Sequence, residues 1–109
     1  MLTTDLKFGE VQTLSSLTAP NMEKVTFTNI LDNGHGGIAL LTFSAGQELS
    51  EHIAPAEVMV FVTEGELLLD INGTTHTIQA GQFILMGNGV RHRAEAVTDA
   101  KVMLVKIKP

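Results

Sequence analysis

Hydrophobic and polar residues alternate along most of this chain in short runs, separated by glycine-rich turns. From Lys24 to Asp32 (KVTFTNILD), Val25, Phe27 and Asn29 alternate with Thr26, Thr28 and Ile30. Period two with β-branched and aromatic residues predicts a strand. Asn33-Gly34-His35-Gly36-Gly37 predicts a glycine-rich turn, and Ile38–Phe43 (IALLTF) a short apolar strand. Leu49–Ile53 predicts a brief strand carrying His52, and Pro55 breaks the ladder because proline has no N–H to donate. Val58–Val62 (VMVFV) is apolar on both faces, the pattern of a strand buried between two layers. Leu67, Leu69 and Ile71 alternate with Glu66, Leu68 and Asp70, and Thr75–Ile78 is the return strand. Asn72-Gly73 lies between these runs, and both residues tolerate the positive φ of a type I′ hairpin turn. Phe83–Met86, Arg91–Val97 and Val102–Ile107 (VMLVKI) complete the set.

The total is about nine or ten short strands at a spacing of roughly 8–12 residues, so the expected fold class is all-β, a sandwich or barrel. No segment of useful length has a helical period. Residues 1–21 alternate only partly, and Thr18-Ala19-Pro20-Asn21 is a turn cluster. They read either as a short helical turn or as an extended arm that pairs with another chain.

Composition narrows the function classes. A length of 109 residues is the size of one domain. Hydrophobic content of 44% with 17% charge describes a globular chain rather than a disordered one. A net charge of −5 argues against nucleic acid or an anionic membrane as partner, since both need a basic face. The absence of cysteine excludes disulfides and thiolate metal sites, and it fits a cytoplasmic protein. MLTTDLKFGEVQ has neither the apolar run nor the basic lead-in of a signal peptide.

Two stretches share one plan. Gly46–Gly65 (GQELSEHIAPAEVMVFVTEG) runs glycine, polar loop, His52, Pro55, apolar strand, glycine. Gly81–Ala96 (GQFILMGNGVRHRAEA) runs glycine, apolar strand, glycine-rich turn, His92. Over about Ile38 to Ile107 this arrangement resembles the cupin superfamily. The family's first motif has a glycine, five residues, then two histidines separated by one residue. A glutamate follows three or four residues later, and a glycine closes the motif. Gly46, His52 and Gly65 match it; Gly81, Gly89 and His92 match the second motif. The resemblance implies a jelly-roll barrel, or double-stranded β-helix. Residues 1–37 would form N-terminal strands or a dimerisation arm, residues 38–107 the barrel core, and the commonest assembly would be a homodimer.

The departures fall on the chemistry. The family's usual metal site has three histidines and a carboxylate. Here Ala54 replaces the second histidine, Val58 the acid, Gly87 the proline of the second motif and Ala96 its asparagine. His52 and His92 remain as candidate ligands for a weakly held divalent metal (Zn, Ni, Mn or Fe). Glu57, His76 and His35 are the candidates for a third ligand. Period two turns Glu57 away from the histidines unless a bulge intervenes. His76 shares a face with Ile78, and His35 lies in a turn. Two histidines alone fall short of the three or four protein ligands of a zinc site. Ala54, Val58, Val60, Ile84, Met86, Ala94 and Ala96 are expected to line an apolar cavity suited to a small organic ligand. Arg91 and Arg93 fall on the opposite face from His92 as a solvated salt-bridge face. The leading expectation is a small-molecule binder. The alternative is a metal-dependent enzyme of the dioxygenase, isomerase or decarboxylase type with an incomplete ligand set.

Overall fold

The computed structural model describes residues 6–109. The leading residues read above for a targeting signal lie partly outside this range. Among the described residues there are nine strands: β1 (Thr26–Asn33), β2 (Gly36–Phe43), β3 (Glu48–Ile53), β4 (Glu57–Glu64), β5 (Glu66–Ile71), β6 (Thr74–Gln79), β7 (Phe83–Met86), β8 (Arg91–Ala96) and β9 (Ala100–Ile107). One short 3-10 turn, Leu14–Ser16, precedes them, in the segment read as a helical turn or an arm. No helix among the described residues is long and apolar enough to cross a membrane.

The strands form two antiparallel sheets, ordered β1-β2-β9-β4-β7 and β3-β8-β5-β6. Their inner faces enclose one core. Phe43, Val62, Leu67, Leu69, Ile78 and Val102 are each at most 3% exposed. Each such side chain stabilises the fold by about 1.5–3 kcal/mol relative to exposure. This is a jelly-roll barrel, all-β as the strand pattern predicts and of the kind that the family resemblance implies.

Two hairpins show why the chain folds this way. Asn72 (φ 50) and Gly73 (φ 88) form the whole turn between Ile71 and Thr74, as their tolerance of positive φ predicts. The turn after β1 is tighter than expected. Asn33 pairs with Gly36 and Asp32 with Gly37, which leaves only Gly34 and His35 outside the ladder.

One expectation is corrected. Val58–Val62 is not sandwiched between two layers. Val58, Val60 and Val62 are buried in the barrel, while Met59 and Phe61 point outward and stay half-buried. The register continues this outer face across the sheet. Ile38, Val105, Met59 and Leu85 form one row; Leu40, Met103, Phe61 and Phe83 form the next. Leu85 is 68% exposed and Phe83 58%. Alternation specifies which side chains share a face, but not what covers that face.

The N-terminal segment lies back over one corner of the same sheet. Lys101 Nζ donates to Ser15 O (2.6 Å), and Thr26 Oγ1 reaches Ala19 O (3.5 Å). Ser44 Oγ and Gln47 Nε2 both donate to Asn21 O, at 3.0 and 2.6 Å. At this end of β2 the outward-facing Leu40 and Thr42 are fully buried.

The motif glycines are not equivalent. Gly65 adopts φ +83, and a Cβ there would overlap the Asp99 carbonyl oxygen; Gly46, at φ +85, has open space around it. Gly46→Ala should therefore lose only the left-handed backbone term, about 1–2 kcal/mol. Gly65→Ala should lose that term plus the cost of displacing the β8–β9 turn. Urea midpoints of the two variants check this, and equal midpoints would contradict it.

Candidate functional site

The two motif histidines meet. His52 on β3 pairs directly with His92 on β8, and Leu49 pairs with Ala94. Leu49 and His52 are three positions apart, so unbroken alternation would send them to opposite faces. A bulge between them restores the phase, and both point inward. The imidazole centroids lie 4.1 Å apart, with the rings inclined at 61°.

Each ring is held by the backbone carbonyl two residues before it. His52 Nδ1 lies 2.9 Å from Ser50 O, and His92 Nδ1 lies 3.1 Å from Val90 O. A carbonyl only accepts, so each Nδ1 carries a proton, and the neutral form of each ring keeps its lone pair on Nε2. Burial pushes the His92 imidazole below the ordinary value of 6.5. The Val90 carbonyl opposes that shift, and the nearby His52 and Lys106 add to it.

The histidines stand at one end of a cavity of ≈ 220 Å³ inside the barrel. Its walls are apolar: Leu41, Phe43, Leu49, Leu67, Leu69, Val102 and Leu104 line it with Ala54, Val58, Val60, Met86 and Ala94. Phe43, Leu67 and Val102 are fully buried at its base, whereas His52 and Ile53 are exposed at its mouth. Of the residues expected to line it, Ile84 and Ala96 do not. Ala96 pairs with Leu67 in the sealed core. Ile84, opposite Val60 on the edge strand β7, faces a separate groove that it shares with His76. Alternation assigns a face, and depth along the barrel decides the rest.

The structure keeps the third-ligand candidates away from the pair. Glu57 points outward and pairs with Ile107. His76 is on β6, two strands beyond β8 in its sheet. His35 is exposed in the β1–β2 turn, where its N–H donates to Asn33 Oδ1 (2.8 Å) and its carbonyl accepts from Lys108 N (2.9 Å). Among the described residues no three His, Cys, Asp or Glu side chains are grouped to hold a metal. Ala54 and Val58, at the family's ligand positions, are buried hydrophobic residues that donate nothing. This donor set does not fit a tightly held metal, which needs at least three protein ligands.

One residue at the mouth was missed. Lys106 lines the cavity beside the histidines. Its signal was legible, because Val102, Leu104 and Lys106 share one face of β9, yet a lysine near a chain end reads as solvated surface. Arg91 and Arg93 lie outside, paired with Glu51 (2.7 Å) and Glu48 (3.3 Å).

A two-sheet antiparallel barrel with inward histidines on adjacent strands is the architecture of a double-stranded β-helix. The Cupin domain family model matches residues 39–108, and the chain belongs to that family. Protein SchB from Streptomyces halstedii and polyketide synthase CurC from Streptomyces cyaneus are each 34% identical to it over 74 residues. The match covers 67% of this chain and 52% and 47% of theirs, so the chain spans about half the length of these curated relatives. Among solved structures, a conserved protein of unknown function from Streptococcus pyogenes superposes with a TM-score of 0.89 at 24% identity, covering 97% of this chain and 93% of that one. A cupin superfamily protein from Desulfitobacterium hafniense gives 0.88 at 14% identity, covering 97% of each chain. These two likenesses bear on the fold alone.

His92 makes stability depend on pH. Its folded-state proton affinity is lowered, so on acidification the unfolded chain takes up this proton first. The contribution is fully present above the unfolded value of 6.5 and is lost as pH falls through the folded value. Urea midpoints followed from neutral pH downward should decline in that window, and His92→Gln should flatten this part of the curve. An unchanged slope in the variant would contradict the assignment.

Proposed function

We propose that this protein binds a small, largely apolar organic molecule in the barrel cavity and orients it by the polar groups at the mouth. The observation that carries this reading is the cavity itself: ≈ 220 Å³ in volume, apolar at its base, with imidazoles at its open end. Binding sites of small molecules combine apolar walls with a few placed polar groups in this way. One curated relative is named a polyketide synthase. Polyketide intermediates are apolar chains or rings bearing carbonyl and enol oxygens, a chemistry suited to this cavity. A metal-dependent reaction finds less support, because only two ligands converge and an ammonium stands beside them. Binding of 2-methylnaphthalene tests the proposal. Calorimetry should show saturable, stoichiometric binding, and Ala94→Leu, which projects into the cavity, should weaken it about tenfold or more, as loss of contacts worth about 1.4 kcal/mol requires. No binding to the parent protein of either 2-methylnaphthalene or its carboxylate analogue 2-naphthoate, or equal binding to the variant, would sink the idea.

We further infer that a second copy of the chain covers the outer face of the β2-β9-β4-β7 sheet. Ile38, Met59, Phe61, Phe83, Leu85, Met103 and Val105 make that face continuous and apolar, with Glu57 at its edge. Leu85 and Phe83, 68% and 58% exposed, are the side chains on this face that burial against a second copy would cover. A face with almost no charge also suits self-pairing in a chain of net charge −5, which repels its copies elsewhere. Light scattering should give twice the 11.7 kDa chain mass, and Phe61→Glu with Leu85→Glu should halve it. A monomeric parent protein would assign the face to a different partner.

A further inference from the structure

Lys106 reaches the cavity mouth through strand register. β9 lies between β2 and β4, and Lys106 pairs with Gly37 on one side and Val58 on the other. Gly37 has no side chain to shield it, and Val58 is a cavity wall. Lys106 is half-buried and its ammonium makes no hydrogen bond or ion pair among the described residues. Lys7, Lys24 and Lys108 likewise form no ion pair among the described residues, but they are exposed and none of them lines the cavity. Arg91, Arg93 and Lys101 each find a glutamate within 3.5 Å. The acid next along the row is Asp32, which pairs with Gly37 on its far side and forms no ion pair with Lys106. A partly buried ammonium is stabilised by an opposite charge, and no described residue supplies one within ion-pair distance.

The histidines complete the pattern. Their Nδ1 atoms are committed to Ser50 and Val90, so two Nε2 lone pairs remain as acceptors. The mouth therefore presents one cationic donor and two neutral acceptors over an apolar base. A bare hydrocarbon would leave all three unsatisfied. A bare carboxylate would set its own lone pairs against those of the imidazoles. A molecule with one negatively charged oxygen and one neighbouring hydroxyl satisfies both kinds of group.

We infer that the cavity's ligand is an apolar organic anion that also carries a hydroxyl, with its charged oxygen on Lys106 and its hydroxyl donating to an Nε2 of the His52–His92 pair. This rests on the cavity reading proposed above and specifies the ligand's charge and hydrogen-bonding groups.

The probes are 1-hydroxy-2-naphthoate, 2-naphthoate and 2-methylnaphthalene, titrated into the full chain by calorimetry. Affinity should fall in that order. Lys106→Met keeps the aliphatic stem and removes the charge. It should weaken 1-hydroxy-2-naphthoate about tenfold or more, as loss of a charge-assisted hydrogen bond does, and leave 2-methylnaphthalene within about twofold. Lys106→Arg should keep the preference for the anion. Asp32→Asn should leave 1-hydroxy-2-naphthoate binding unchanged or tighten it. His52→Phe should erase the difference between the hydroxylated and plain naphthoates while both still bind. If Lys106→Met binds 1-hydroxy-2-naphthoate as the parent does, the oxyanion assignment is overturned although the cavity stands. If the parent binds 2-methylnaphthalene as tightly as the anions, the outcome is the same. If no probe binds the parent, the cavity reading fails and this inference falls with it.

Discussion

The pairing of β9 with β2 on one side and β4 on the other is the constraint on which the barrel's larger sheet depends. The register is continuous along β2 from Gly36 to Phe43, and along β4 up to an irregularity near Glu64. Because side chains alternate, this register assigns Val102, Leu104 and Lys106 to the interior and Met103, Val105 and Ile107 to the outside. A one-residue slip would exchange the two sets. It would place the ammonium on the apolar outer face and remove the single cation from the cavity mouth. The same pleat thus fixes the core, the polar end of the cavity and the outward patch.

The opposite sheet solves a harder problem. A regular β3 could not point both Leu49 and His52 inward. The bulge between them gives up ladder pairing at Ser50 and Glu51, and brings His52 opposite His92. Glu51, left outside, receives Arg91 at 2.7 Å. An exposed pair of this kind contributes little stability, about 0–1 kcal/mol. The irregular strand is held more by its buried neighbours, such as Ala54, whose N–H donates to Val90 O at 2.9 Å.

Much of this architecture was legible in the sequence, for identifiable reasons. Glycine-bounded runs of period two announced the strands, and the Asn72-Gly73 turn was specified by the φ values those residues tolerate. Gly46, His52, Gly65, Gly81, Gly89 and His92 carried the family resemblance. What alternation could not supply was depth and cover. It placed Ile84 and Ala96 on inner faces without showing that one faces a side groove and the other lies in the sealed core. It marked VMVFV as apolar on both sides without showing that the second side lies on the outside of the barrel. Lys106 shared a face with Leu104 in plain view, and its charge masked its position.

The N-terminal segment has a further consequence for how freely the chain can vary. Its ties at Ser15, Ala19 and Asn21 are all accepted by main-chain carbonyls, and the donors are side chains of Lys101, Thr26, Ser44 and Gln47. Every residue type has a main-chain carbonyl to offer. These ties therefore do not depend on which residue types stand at Ser15, Ala19 and Asn21, whereas they do depend on the four donors.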